Sequence, residues 1–292
     1  MYYILDGKTL NLENLSADET ISLIRYKFQF AYDFLYLEQK EQIIADLEVC
    51  KKVLENNILQ DLVSSSNDYD LICYWYFLQD AIIYPDKLDD LKIGNETDFY
   101  DDTVDVVNGE GFSCEELCYE NNATAVKFCD IQVENLVKKI TKNHQETKEI
   151  FQVSCVSEYY LVKSVSSSEF LVDFFNSFSS VKCLKNSRIE NWSSLTAKQR
   201  RRVLSTFYKE VNHIVNGEFH MLGRPPGRSG ERIFKIPEVI HNCYEYRILN
   251  PNFRIYFLME TGQVIILLGR LKSETSLTEA IKLRLKSIAS IT

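Results

Sequence analysis

The stretch from Cys243 to Ser273 constrains the fold most. Residues 244–249, 253–259 and 264–268 are apolar runs rich in aromatic and β-branched side chains. Asn250-Pro251-Asn252 separates the first pair and Glu260-Thr261-Gly262-Gln263 the second. Such short runs with turn residues between them predict three consecutive strands joined by hairpin turns. Val264-Ile265-Ile266-Leu267-Leu268 does not alternate, which predicts a strand buried on both faces. Arg247, Arg254, Arg270 and Lys272 stand in or beside these strands and are expected to converge on one side of a small sheet. A cationic face on a rigid sheet suits a phosphate backbone.

Charge divides the chain. Residues 1–177 hold 33 acidic and 14 basic side chains, a net of −19, whereas residues 178–292 hold 9 and 19, a net of +10. A split of this kind marks a nucleic-acid-binding part joined to an acidic part. The serine-rich stretches at residues 164–168 and 176–180 offer linkers, and the boundary is placed just after Ser177. No apolar run reaches the roughly 18 residues a membrane span needs. The start of the chain lacks a secretory signal. The eight cysteines mostly sit inside apolar runs, as reduced thiols do. These features point to a cytoplasmic protein. Neither Cys114 and Cys118 nor the acidic residues 98–102 have the spacing of a metal site, so neither a metal nor another cofactor is expected.

The acidic half reads as mostly helical and of unnamed function. Ser16 and Glu19 form a capping box for a helix reaching about Phe34, with Ile21, Ile24, Phe28 and Ala31 on one face. Further helices are expected over residues 38–56, 59–63, 70–83 and 121–142, an acidic irregular region over 86–120, and a strand pair over 151–163. In the basic half the pattern predicts a strand over 180–184, a helix over 187–195 and a second helix from the Thr196 cap to Val215, stopped by Gly217. The glycine-, proline- and arginine-rich residues 220–232 predict an exposed loop. Its Arg224, Arg228 and Arg232 are placed to follow an RNA backbone.

The order of these elements carries a resemblance. A tryptophan-bearing helix (Trp192) leads into a basic helix (Arg200, Arg201, Arg202). Tyr244-Glu245-Tyr246-Arg247, Phe253-Arg254-Ile255-Tyr256-Phe257 and the aliphatic strand follow. Together residues 178–292, about two fifths of the chain, resemble the RelE/ParE toxin superfamily. The resemblance implies an α+β fold, with an antiparallel sheet carrying a helix pair on one face. It also implies a toxin of the toxin–antitoxin type that cleaves mRNA, on or off the ribosome, by attack of the 2′-hydroxyl on the adjacent phosphate. Arg254 then matches the principal phosphate-binding arginine and Arg247 a basic residue on the preceding strand. Arg270 or Lys272 falls where the family carries another catalytic residue of positive charge. Arg200, Arg201 and Arg202 would add RNA contacts. Glu245 occupies the place of a lysine, and either serves as general base or pairs with Arg247. The family's late tyrosine or histidine has no counterpart in residues 273–277, which leaves His241 as the nearest imidazole. The alternatives are a ParE-like member that binds a protein such as a topoisomerase, or an RNA-binding regulatory or defence protein. Expected partners are RNA, an antitoxin protein, and the acidic half itself acting as a restraint on the basic half.

Overall fold

The structure is a computed structural model. It describes residues 2–46, 49, 52–53, 55–81, 99–101, 106–107, 114–132, 135–142, 146–222, 233–236, 239–272 and 279–290. The chain forms two compact units, Met1–Glu158 and Tyr159–Thr292. Each is mixed α/β with its own mixed sheet.

The first unit is built on seven strands: β1 (Tyr2–Leu5), β2 (Gln42–Ala45), β3 (Phe99–Asp101), β4 (Val106–Val107), β5 (Thr124–Val126), β6 (Val137–Lys142) and β7 (Glu146–Val153). Their order across the sheet is β2-β1-β5-β7-β6-β3-β4. The first four in that order run parallel, and β6, β3 and β4 continue antiparallel. Accompanying them are α1 (Ala17–Gln29), continued by a π-helical stretch (Phe30–Glu38), α2 (Asn57–Ser65), α3 (Tyr69–Ala81) and α4 (Cys114–Asn121). The Ser16–Glu19 capping box is formed, and Ile24, Phe28 and Ala31 are buried below it.

The expectation of a mostly helical acidic domain is therefore corrected. Residues 42–45 form a strand because Ile43-Ile44 fits the slot beside β1, where a parallel strand must be apolar on both faces. Residues 124–126 and 137–142 are strands and not one long helix, and the basic residues expected in a last helical turn lie in a hairpin. There Lys139 is level with Glu149, Lys142 is level with Glu146, and the Thr141 and Thr147 hydroxyls meet at 2.8 Å. Residues 156–163 are helical, where a strand was expected. Most of the acidic region 86–120 lies outside the described residues.

The second unit opens with α5 (Val156–Ser166), which spans the division, and α6 (Leu171–Asn176). The sequence placed the boundary later, in serine-rich stretches. Those serines close turns here: Ser167 N donates to Lys163 O, and Ser177 Oγ donates to Phe174 O. The sheet follows in the order β8-β12-β11-β10-β9, from β8 (Val181–Ile189), β9 (Ile233–Lys235), β10 (Cys243–Ile248), β11 (Phe253–Glu260) and β12 (Gln263–Leu271). The three hairpin strands are present. The sheet is mixed and not wholly antiparallel, because β8 pairs parallel with β12. The expected helix pair is also corrected. Strand β8 runs through Ile189, and Trp192–Ser194 makes only a single 3-10 turn before α7 (Ala197–Val215). Thr196 and Gln199 form the capping box of α7, and Gly217 beyond it has φ +71°. A last helix, α8 (Glu279–Ala289), closes the unit.

Register fixes what each face of this sheet carries. Tyr244 pairs with Phe257, Tyr246 with Ile255, and Ile248 with Phe253, so these six share one face. Trp192 packs edge-on to Phe253, and the Tyr246 hydroxyl bonds Glu210 of α7. Gly269 lies under this layer. A Cβ there would sit 2.7 Å from Ile189 Cδ1 and 3.3 Å from the Phe253 ring, so no larger residue fits without displacing them. The opposite face is apolar at one end, where Cys243, Leu258 and Ile265 pack with Leu285 and Ile288 of α8. Ile248, Ile255, Phe257, Ile265, Leu267, Trp192 and Leu204 are all buried, as the strand pattern requires.

Candidate functional site

The other end of that α8-covered face is charged. Arg247 on β10 pairs in register with Arg254 on β11, and Arg254 pairs with Arg270 on β12. Directly opposed residues of antiparallel strands point to the same side. The three arginines therefore form one row across three strands, as expected. One step inward, Glu245 is level with Tyr256.

Like charges opposed across a sheet repel, so the row needs a counter-charge. Glu245 provides it. Its Oε1 accepts from Arg254 Nη1 at 3.2 Å and from Arg247 Nε, and Tyr256 also hydrogen-bonds to the carboxylate. Burial, with the carboxylate beside it, pushes the Tyr256 hydroxyl well above the ordinary tyrosine range, so it remains a donor. The Arg247 guanidinium lies 3.6 Å from the Phe234 ring centroid on β9, in a cation–π stack.

Exposure separates the three arginines. Arg254 is 5% exposed, which corrects the expectation of a solvent-facing phosphate ligand. It is buried because β11 is the central strand of this unit's sheet. Arg247 and Arg270 are half-buried, and Lys272, just past β12, is exposed. Lys272 N donates to Asn252 O at 2.8 Å, which holds this lysine at the same end of the sheet.

Other expected residues are not brought to the row. His241 is exposed and precedes the far end of β10, about 20 Å along the chain from Arg247. Arg200 clamps the turn before α7. Its guanidinium donates to the carbonyls of Trp192, Leu195, Val165 and Ser193, at 3.0–3.2 Å, and so satisfies the turn that replaces the expected helix. Arg201 is half-buried and Arg202 exposed at the start of α7, whose Glu210 meets the opposite sheet face. Arg224, Arg228 and Arg232 lie outside the described residues. Tyr256 was missed, although the period-two spacing from Arg254 places it on the same face.

A second polar cluster lies in the first unit and was missed entirely. The chain runs from β1 to β2 on one side and places β5 on the other, so β1 and β5 flank a switch point. At their carboxyl ends Asp6, Asp46 and Lys127 follow β1, β2 and β5, and Glu115 enters from α4; all four are buried. Lys127 Nζ bonds Asp6 and lies 3.7 Å from Glu115 Oε1. Asp46 accepts from Gly7 N at 3.0 and 3.1 Å and from Val49 N at 2.9 Å. Burial and the nearby carboxylates of Asp6 and Glu115 still outweigh those bonds and raise Asp46 to about 7. Burial also works against the Glu115 carboxylate, but Lys127, Lys138 and Lys8 together hold its pKa below the ordinary value. The signal was present in the sequence: Tyr-Tyr-Ile-Leu-Asp, Ile-Ile-Ala-Asp and Thr-Ala-Val-Lys each end a short apolar run on a charge.

Among the described residues no group of three or more His, Cys, Asp or Glu side chains is arranged to hold a metal ion, and no helix is long and apolar enough to cross a membrane. Cys114 and Cys118 are buried free thiols whose sulfurs are 3.9 Å apart. Set against known protein families, characterised proteins and solved structures, the chain matches none.

Proposed function

We propose that the second unit binds RNA along the Arg247–Arg254–Arg270 row and cleaves it, as a RelE-like endoribonuclease would. The observation that carries this reading is the row of three guanidinium groups on one sheet face, with Glu245 held between Arg247 and Arg254. Guanidinium keeps its proton and its fork matches phosphate oxygens, so the row suits an anionic backbone. Arg247 and Arg270 are the accessible forks and Lys272 stands at the rim.

In the cleavage step the 2′-oxygen forms a bond to the adjacent phosphorus and loses its proton to Glu245. The bond from phosphorus to the 5′-oxygen breaks, and that oxygen takes a proton from solvent. The products are a 2′,3′-cyclic phosphate and a 5′-hydroxyl end. The arginines stabilise the charge that develops on the phosphoryl oxygens. Glu245 is engaged by Arg247 and Arg254 in the free protein. On this reading the incoming phosphate draws Arg247 away and frees the lone pair that the base needs. Inhibition of translation follows from cleaved message, and a protein antitoxin that covers the row belongs to the same proposal.

One observation favours a second reading, RNA binding without cleavage. Glu245 and Arg254 are both buried and bonded to each other. Mapping RNA ends after brief expression separates the two. New 5′-hydroxyl ends that vanish in Glu245→Gln support cleavage. RNA binding with no new ends supports the non-catalytic reading. Neither binding nor ends removes both.

A further inference from the structure

The carboxyl edge of the parallel strands in the first unit carries a groove of about 580 Å³, lined by Lys8, Leu10, Asn11, Leu12, Glu13 and Lys52 among others. The size is that of a small-molecule site. Its lining comes from the segments that follow the parallel strands β1 and β2, and open α/β sheets take ligands outside the carboxyl ends of their strands. Both follow from the fold alone and are independent of the arginine row.

The lining is divided in chemistry. Lys8 and Lys52 put two ammonium groups on it, Leu10 and Leu12 supply apolar wall, and Glu13 and Asn11 offer acceptors and an amide. Lys52 is fixed in place, since its Nζ donates to Gly7 O at 2.8 Å and to Leu10 O at 3.0 Å. These bonds hold the Gly7–Thr9 turn against the segment after β2. Lys8 is half-exposed, and its Nζ lies 3.9 Å from Glu115 Oε2, beyond hydrogen-bonding distance. That Glu115 oxygen is buried and accepts no hydrogen bond. Beneath, Lys127 pairs with Asp6 and lies with Lys138 beside Glu115. The Lys8 ammonium is held near the groove by Glu115 while half of its side chain stays in solvent.

We propose that this groove binds a phosphorylated sugar, of which a mononucleotide is one form. The phosphate sits on Lys8 with Lys52 behind it, the sugar hydroxyls donate to Glu13, and a base, where present, lies on the half-buried Leu12. A carboxylate in a phosphate-only site would repel its ligand. Beside a sugar it is the acceptor that the hydroxyls need.

The test is calorimetric titration of the full chain with inorganic phosphate, ribose 5-phosphate and adenosine 5′-monophosphate. Ribose 5-phosphate is expected to bind more tightly than phosphate, and a further gain for the nucleotide identifies a base subsite. Equal binding of the sugar phosphate and the nucleotide restricts the ligand to the sugar phosphate. Lys8→Ala is expected to weaken binding about tenfold or more, as loss of a charge-assisted bond does, with Lys8→Arg restoring much of it and the thermal transition unmoved. Arg247→Ala and Arg270→Ala are expected to leave this binding intact, which separates it from the RNA reading. The proposal is overturned if no probe binds saturably, if Lys8→Ala binds like the parent, or if binding is lost in Arg270→Ala and kept in Lys8→Ala.

Discussion

The two polar clusters mirror each other in charge. In the first unit a single buried lysine, Lys127, stands among Asp6, Glu115 and the nearby Asp46. In the second a single buried carboxylate, Glu245, stands among Arg247 and Arg254, with Arg270 alongside. Both obey one rule: a charge taken out of water must be paired. They differ in how the excess is disposed of. The acidic cluster has an internal outlet, because Asp46 holds a proton up to about pH 7. The basic cluster has none, because arginine stays charged.

Breaking the pairing rule in the first unit gives the largest expected effect. Lys127→Met leaves Asp6 buried without its cation and Glu115 with Lys138 and Lys8 alone. It is expected to cost about 3–5 kcal/mol, read as a lower denaturant midpoint. An unchanged midpoint would mean that the cluster is not a stabilising network.

The proton outlet comes next. The folded pKa of Asp46, about 7, lies above its ordinary 3.8, so the folded state holds the proton more tightly than the unfolded chain does. The stabilisation is complete below about pH 4 and is lost as pH rises through about 7. Between pH 5 and pH 8 the parent is expected to lose on the order of 1–3 kcal/mol relative to Asp46→Asn. Parallel stability–pH curves for the two proteins would place the proton elsewhere.

The mirror change in the second unit is Glu245→Gln, expected to cost about 1–3 kcal/mol. The effect is smaller than at Lys127 because Arg247 keeps about a third of its side chain in water. The same variant is expected to bind RNA more tightly while losing cleavage, since it removes the row's internal competitor. Gel-shift and RNA-end assays on one preparation read both. Weaker RNA binding by Glu245→Gln would instead make the carboxylate a positioning group for the arginines.

The second unit was the more legible in sequence, for physical reasons. Strands β10, β11 and β12 are joined by short turns, so their pairing follows from local chemistry and the arginine row follows from pairing. The Ser16 and Thr196 caps are local too, and both are formed. The parallel strands of the first unit are three to eight residues long, and β1, β2 and β5 are brought together only by the tertiary fold. Val137 and Ile140, three apart, imitate a helical face until the β6–β7 pairing is known. The burial of Arg254 and the clamp made by Arg200 were illegible for the same reason. Each depends on backbone groups distant in sequence, such as Val165 O for Arg200.

The central claim is that the arginine row is an RNA phosphate site, and salt-dependent RNA affinity tests it most directly. Binding of a single-stranded RNA to the full chain is to be measured over a range of salt for the parent, Arg247→Ala, Arg270→Ala and the double variant. The account predicts weaker binding in each single variant. It also predicts a slope of log affinity against log salt that falls by roughly 0.7 per arginine removed, with the double variant losing about twice that. Affinities and slopes indistinguishable from the parent in all three variants would contradict it.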